Sequence, residues 1–256
     1  MDLIWSGLKE AVRMLAHNEG DVYEIACRSL VVSGSATAIS FVLGVGAGSL
    51  LAFRQFRGRF VVMTLVNTGM GVPPVVVGLV VAILLWRSGP LGDLGWIYSI
   101  KAMVIAQVII ATPIITGFTA AAFTSLNPKL RLQVASLGAS RLQMLWILLQ
   151  EVRLPLLAAI MVGFGAAIHE VGASVMVGGN IAGQTRVLPG AVLLEEGKGN
   201  FGAAMALGII LISMMIAVNA LFTWVQLGIH RDPRGSRAAT GIDALEVPVV
   251  RSWLSR

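Results

Sequence analysis

Five long runs of apolar residues alternate with short polar segments along the chain. The runs cover residues 26–53, 60–86, 102–125, 154–177 and 201–229, and each is long enough to cross a bilayer as an α-helix. Arginines and lysines concentrate between the runs, where such a helix would leave the membrane. The pattern therefore predicts an all-α fold, a polytopic transmembrane helix bundle of about five spans.

The first 25 residues form an amphipathic N-terminal segment that precedes the runs. Ile4, Trp5, Leu8, Val12 and Leu15 fall on one side of a helix, and the charged residues fall elsewhere. Because charges interrupt the segment, it lacks the unbroken apolar core of a signal peptide. Two placements fit equally well: a helix lying along the membrane interface, and an ordinary helix packed on the bundle.

Glycines and prolines interrupt the second apolar run. Gly69, Gly71, Pro73 and Pro74 lie within it, and neither proline can donate a backbone hydrogen bond. The helix should kink or break there, which a membrane tolerates only where protein or a water-filled path satisfies the freed carbonyls. Residues 67–74 are thus a candidate element of a translocation pathway, and a purely structural kink explains them equally well.

Composition supports a membrane protein. Hydrophobic residues make up 56% of the 256 residues, charged residues make up 12%, and the mean hydropathy is +0.83. The net charge of +6 comes from Lys and Arg at the ends of the runs, where lipid headgroups account for it, so no nucleic-acid partner is expected. Cys27 is the only cysteine, which excludes an internal disulfide and a multi-cysteine metal site.

The sequence contains no motif for catalysis. A phosphate-binding loop of the Gly-x-x-x-x-Gly-Lys-Ser/Thr type is missing, so we expect ATP and Mg²⁺ to bind to a partner and no cofactor to bind to this chain. His169 and Glu170 begin like a zinc-protease motif, but Ala173 stands where the second histidine would be. We therefore expect no catalytic residue and no metal site.

The distribution of charge predicts an orientation in the membrane. If the polar stretch 127–155 is cytoplasmic, twelve of the 19 Lys and Arg residues lie inside and seven lie outside. This positive-inside arrangement places the N-terminus outside and the C-terminus in the cytoplasm. The predicted organisation is an N-terminal segment (1–25), a transmembrane domain (26–229) and a polar cytoplasmic tail (230–256).

Glu170 is the most informative single residue. An acidic side chain near the centre of a spanning helix costs about 2.5–3.5 kcal/mol, so Glu170 should face the bundle interior, a partner helix or water. Its neighbours His169 and Gly172, together with Pro73 and Pro74, make it a candidate part of a gate on the translocation pathway. A structural hydrogen bond that locks two helices is an equally good explanation. Its charge would repel an anionic solute, so a substrate-binding role is not expected.

The polar stretch 127–155 has its own helical pattern. Leu130, Val134 and Leu145 recur at helical spacing around a cluster of small residues, which predicts a helix, a break at Gly138 and a second helix start. The run QVASLGASRLQMLW resembles the cytoplasmic coupling loop of type I ABC-importer permeases, with Gly138 in the place of the family's glycine. Leu132, Gln133 and Val134 stand where that family carries Glu-Ala-Ala, and Leu154-Pro155 follows later than in the common pattern.

Two later segments extend the resemblance. IHEVGASVMVGGNI (168–181) and LEEGKGNF (194–201) are similar to the tungstate and molybdate subgroup of these permeases, and most of all to tungstate permeases. The resemblance implies a MetI-like core and a multi-pass location in the cytoplasmic (inner) membrane of a prokaryote. It also implies a homodimer surrounded by membrane lipid, with two ATPase subunits and an external solute-binding protein.

The resemblance assigns roles to particular residues. The coupling loop (127–153) would insert a short helix into the ATPase. The expected coupling residues are Ala135, Ser136, Leu137, Gly138, Ala139, Ser140 and Arg141. Those expected to face the binding protein are Gly178, Gly179, Asn180 and Lys198, although the glycines also fit a plain flexible turn.

The cargo and the mechanism leave alternatives open. An oxyanion importer for tungstate is the preferred interpretation, and the same fold carrying molybdate, sulfate or another solute is the nearest alternative. A different class, an ion-coupled secondary carrier or channel that uses Glu170, is the second alternative.

Overall fold

The computed structural model describes residues 2–17 and 21–230. The chain divides into two compact units, Met1–Ala217 and Val218–Arg256, and the second is described as far as residue 230. All secondary structure in the described residues is helical. The predicted cytoplasmic tail lies, from residue 231 onward, outside the described residues.

Eleven α-helices follow one another in the described ranges. In chain order they are α1 (Asp2–His17), α2 (Val22–Phe53), α3 (Arg59–Gly71), α4 (Pro74–Leu85), α5 (Ile100–Thr124), α6 (Pro128–Ser136), α7 (Arg141–Glu151), α8 (Arg153–Ile168), α9 (Gly172–Gly178), α10 (Leu188–Gly197) and α11 (Phe201–His230).

Helices α2 and α5 form the central pair of the first unit. Gly44 and Gly48 let the two helices approach closely, since an added Cβ would lie 2.8 Å from Ile115 and 2.7 Å from Thr119. Small residues that allow such close approach are typical of helix packing inside membranes. The pairing is parallel, because later residues of α2 meet later residues of α5, up to the rings of Phe53 and Phe123, whose centroids are 4.8 Å apart. Both helices therefore end on the same side.

Two apolar clusters lie at opposite ends of this pair. One contains Val32 of α2, Met103 of α5 and Val177 of α9, together with residues of α4. The other lies at the ends of α2 and α5 and contains Leu148 of α7 and Leu156 of α8. The second cluster, called the end cluster below, attaches the polar stretch to the bundle.

The five predicted spans are represented by three long helices and by helix pairs that bend. Helices α2, α5 and α11 are long and apolar enough to cross a membrane. Helices α3 and α4 bend by 103° at Val72-Pro73, which confirms the predicted break. A second bent pair, Leu142–Glu151 with Arg153–Ile168, turns by 74°. Counting each bent pair as one span gives up to five.

Three features depart from the predicted spans. The fourth run is not continuous, because α8 ends at Ile168 and α9 begins at Gly172. The region after it, for which no helix was predicted, contains helix α10 before the last span begins at Phe201. In addition, α2 starts at Val22, four residues before the predicted start of the first span at Ala26.

The N-terminal helix α1 packs on the bundle, which was one of the two predicted placements. Its face bearing Ala11 and Met14 is buried in a cluster with residues of α2 and the first part of α11. A separate apolar face remains open, with Trp5 62% and Val12 61% exposed. The helix packs on the bundle and still presents an apolar stripe of the kind that enters a membrane interface.

Candidate functional site

The stretch after α5 folds as two helices joined by a tight turn, as predicted. Asn127 begins α6 by accepting the Lys129 N–H at 2.9 Å. Gly138 has φ +77°, a left-handed conformation that favours glycine, so the chain turns there. Ser140 and Gln143 then form a reciprocal capping box that starts α7.

The outer side of this helix–turn–helix is apolar and exposed. The leucine at the turn, Leu137, is 86% exposed, and Leu132, Leu142 and Trp146 are 70%, 80% and 64% exposed. We call these four residues the docking face. Exposed apolar patches of this kind on a protein mark surfaces that contact a partner.

The predicted coupling residues lie on this turn but do not form a helix of their own. Ala135 and Ser136 end α6, Leu137 to Ala139 make the turn, and Ser140 caps α7. The left-handed Gly138 separates the end of α6 from the start of α7 within residues 135–141, as the predicted break requires. The helix that reaches the turn is α6. Arg141 opens α7, and its side chain lies outside the described residues.

The inner side of the same two helices is buried. Val134 is 6% exposed, and Leu148 and Val152 are each 2% exposed. Leu148 and Val152 pack with Phe123 of α5 and Leu156 of α8 in the end cluster. A force applied to the docking face would thus reach two spanning helices through close-packed side chains.

The breaks in two spans meet around one cavity of about 280 Å³. Pro73 and Pro74 line it from the α3–α4 bend, and His169 and Glu170 line it from the α8–α9 break. Gly172 lies beside it, where an added Cβ would come within 2.5 Å of a Val75 methyl group. The structure therefore brings together all five residues that the sequence suggested for the pathway.

Glu170 is buried, with 5% of its surface exposed, and it lies two residues before the start of helix α9. Its Oε1 accepts the Ala173 N–H at 2.7 Å, which satisfies a backbone donor that the helix itself leaves unpaired. His169 is exposed, and its Nδ1 lies against the Gly165 carbonyl. No ion pair joins His169 to Glu170 among the described contacts. The carboxylate thus anchors α9 beside the cavity.

The loop between α9 and α10 is held by its own hydrogen bonds. Gly179 and Asn180 have positive φ angles of 73° and 50°, and the Asn180 side chain donates to the Gly190 carbonyl at 2.8 Å. The Gly179 and Ile181 N–H groups bond to Val175 and Thr185. These two donors are therefore already engaged and do not face a solute.

Lys198 lies at the end of α10, apart from the loop glycines. Its ammonium donates to Glu195 at 2.7 Å. The Lys198 ammonium, helped by the Asn200 amide, lowers the pKa of the Glu195 carboxyl. Lys198 is therefore paired with an acidic residue of its own chain.

Sequence reasoning missed a buried polar pair in the membrane domain. Gln107 of α5 is 2% exposed, and its Nε2 donates to the Ser174 hydroxyl of α9 at 3.3 Å. Its Oε1 is buried without a partner among the described residues. An isolated amide within the third apolar run was the available signal.

Comparison with known proteins decides the family. Residues 44–234 match the family model described as binding-protein-dependent transport system inner membrane component. The chain belongs to this family of ABC-importer permeases. The permease is thus a multi-pass membrane protein, and the sequence resemblance is confirmed.

Relatives and a solved structure agree with this placement. The permease is 38% identical over 202 residues to a probable anion ABC transporter permease protein of Haloferax volcanii, covering 77% of this chain and 87% of that protein. It is 34% identical over 226 residues to the tungstate uptake system permease protein TupB of Peptoclostridium acidaminophilum, covering 88% and 99%. An inward-facing structure of the MetNI methionine ABC transporter shares the fold, with a TM-score of 0.68 at 16% identity, covering 81% of this chain and 95% of that chain.

Proposed function

We propose that this permease is the membrane subunit of an ATP-driven importer of an oxyanion, and that its cargo is tungstate. The similarity to a tungstate uptake permease, over nearly the whole length of that protein, supports the cargo. The similarity to a probable anion permease supports the broader class. The chain itself supplies the path and no catalytic residue.

The observation that carries the proposal is that the polar stretch 127–155, which we call the coupling stretch, has one exposed apolar side and one buried side. Its outer side exposes four large apolar residues, and its inner side is buried against the ends of α5 and α8. A partner that binds the docking face can therefore move the spans directly. In the proposed complex, two permeases form a homodimer and each docking face receives one ATPase subunit, which binds ATP and Mg²⁺.

Transport proceeds by alternating access. ATP binding closes the ATPase pair, draws the two docking faces together and opens the spans outward, and hydrolysis resets them. The cycle needs two packings of similar energy between which the nucleotide state selects. The bend between α3 and α4 and the break between α8 and α9 provide the joints, because both lie at the same cavity.

Glu170 acts in this cycle as an anchor for α9. Its carboxylate holds the first turn of that helix next to the cavity, and its negative charge disfavours an oxyanion as a direct ligand. Movement of the wall beside Pro73 and Pro74 would then gate the path. A hydrogen-bond acceptor, rather than the charge, is what this role requires.

The proposed orientation follows the positive-inside rule. The docking face lies in the cytoplasm. The opposite end receives the external binding protein at Gly178, the last residue of α9, at the loop residues Gly179 and Asn180, and at Lys198. The N-terminus is external and the C-terminus cytoplasmic. The membrane is the cytoplasmic (inner) membrane of a prokaryote.

Uptake by the reconstituted complex tests the cargo. The permease, its ATPase and its binding protein would be assembled in proteoliposomes, and uptake of tungstate, molybdate and sulfate would be measured in competition. Tungstate should be taken up in preference to both competitors. Preference for sulfate or molybdate would reject the assigned cargo while leaving the permease class intact.

A further inference from the structure

Arg28 is a buried arginine near the start of the first spanning helix. It lies in α2, and 8% of its side chain is exposed. A charged side chain in a spanning helix is costly to bury, so its contacts show what it holds together. One contact is an ion pair with Glu24, one turn earlier in α2, whose side chain is half-exposed. This pair balances the charge but connects Arg28 only to its own helix.

The second contact of Arg28 reaches the loop between α9 and α10. We call this segment, residues 179–187, the outer loop. The Arg28 Nη1 donates to the Arg186 carbonyl at 2.9 Å. The next residue of α2, Ser29, is 2% exposed, and its hydroxyl oxygen accepts the Leu188 N–H at 2.8 Å. Two consecutive residues of α2 therefore fix the end of the outer loop where α10 begins.

The outer loop contains polar atoms that its own contacts leave unsatisfied. Asn180 Oδ1 and Arg186 Nε are buried without a hydrogen-bond partner among the described residues. A buried polar atom without a partner destabilises the conformation that contains it, so other contacts must compensate. The bonds from Arg28 and Ser29 supply such compensation, and a charged donor makes the stronger kind of hydrogen bond.

The outer loop is also tied to helix α9. The buried Thr185 hydroxyl donates to the Gly178 carbonyl at 2.5 Å and accepts the Ile181 N–H at 3.0 Å. Gly178 is the last residue of α9, and Glu170 holds the first turn of the same helix next to the cavity. The outer loop thus connects the start of α2 to the helix that Glu170 anchors.

We propose that Arg28 is a positioning residue for the docking of the external binding protein, an inference that rests on the proposed function. Because Arg28 is buried, it acts through the outer loop and not by contact with the partner. Its guanidinium holds the loop in place for Gly179 and Asn180 to contact the binding protein. A loop that is already ordered loses less conformational entropy on binding, so the affinity for the binding protein depends on this anchor.

Hydrogen exchange of the detergent-solubilised full-length permease tests whether Arg28 anchors the loop. Exchange of the backbone amides in residues 179–188 would be followed by mass spectrometry. Arg28→Gln removes the charged donor and should speed exchange in this segment by about tenfold. Arg87→Gln, the same change at an exposed arginine between α4 and α5, should leave it unchanged. Unchanged exchange in Arg28→Gln, or an equal effect in Arg87→Gln, would overturn the proposal.

Stimulation of ATP hydrolysis tests the consequence for docking. The permease and its ATPase would be assembled in proteoliposomes, and hydrolysis would be measured against the concentration of tungstate-loaded binding protein. Arg28→Gln should raise the half-stimulating concentration by about tenfold and retain the maximal rate. Arg28→Lys keeps a charged donor and should return this concentration towards that of the wild type. A lower maximal rate at an unchanged half-stimulating concentration would indicate a general structural defect and reject the positioning role.

The two measurements separate this inference from the proposed function. A wild-type permease that the binding protein does not stimulate would reject the partner, and the docking role of Arg28 with it. Stimulation of the wild type with the same half-stimulating concentration in Arg28→Gln would reject the positioning role and leave the importer class intact. The exchange measurement uses neither ATPase nor cargo, so it decides the anchoring of the outer loop in either case.

Discussion

Leu137 gives the sharpest mutational test of the docking face. Its side chain is 86% exposed, so Leu137→Ala should change the stability of the isolated permease by no more than about 0.5 kcal/mol. If the ATPase buries this side chain, truncation removes most of a leucine's burial energy, about 2 kcal/mol. That loss corresponds to about 30-fold weaker binding of the ATPase subunit.

Calorimetric titration of the purified ATPase into the detergent-solubilised permease would measure this change. Leu193→Ala is the matched control, because that leucine is 48% exposed on α10, away from the coupling stretch. Leu148→Ala is the contrasting variant, since this buried side chain should cost about 2–5 kcal/mol of stability. ATPase binding by Leu137→Ala at the wild-type affinity, or an equal loss in Leu193→Ala, would refute the docking face.

Three further substitutions test other parts of the structure. Gly138→Val places a branched side chain at φ +77°, which adds about 1–3 kcal/mol of backbone strain. This variant should reduce permease-stimulated ATP hydrolysis, and unchanged stimulation would contradict a role of the turn in coupling. Glu170→Ala leaves the Ala173 N–H without its acceptor and should lower the stability of the permease by about 1–3 kcal/mol. Glu170→Gln should retain both stability and transport. Equal loss of transport in the two variants would show that the charge is required. Gly78→Val adds a Cβ 2.5 Å from the Ala173 Cα. It should lower the free energy of unfolding by about 1–3 kcal/mol and so lower the melting temperature. An unchanged melting temperature would contradict the contact of α4 with α9.

The spans that sequence predicted best are those whose helices stay unbroken. Helices α2, α5 and α11 coincide with long apolar runs, and the break before Pro74 follows from the loss of backbone donors. The break after Ile168 has no such local cause, because residues 169–171 contain no proline. Two contacts accompany it: the Glu170 side chain accepts the Ala173 N–H three residues later in the chain, and α4 packs closely on α9 at Gly78.

The functional surfaces were predictable to different degrees. The helix, turn and second helix of the coupling stretch follow from leucine spacing and Gly138, which are local features. Which of its leucines would be exposed depends on the end cluster, and hence on how α5 and α8 pack. The sequence suggested both Pro73 and Glu170 as pathway residues. That the two line one cavity is a property of the fold and became visible only in the structure.

The buried pair of Gln107 and Ser174 was not predicted from the sequence. The two residues are far apart in the chain, and helical periodicity carries no information about such pairs. A lone amide in an apolar run is an ambiguous signal.

The dependence of solute uptake on ATP tests the central proposal most directly. Proteoliposomes containing the permease, its ATPase and its binding protein would be loaded with labelled tungstate on the binding-protein side, with and without ATP on the ATPase side. An ATP-driven permease predicts uptake that requires ATP, requires the ATPase and falls when Leu137→Ala weakens its docking. Uptake that continues without the ATPase and collapses when an ion gradient is dissipated would contradict it and would instead identify an ion-coupled carrier.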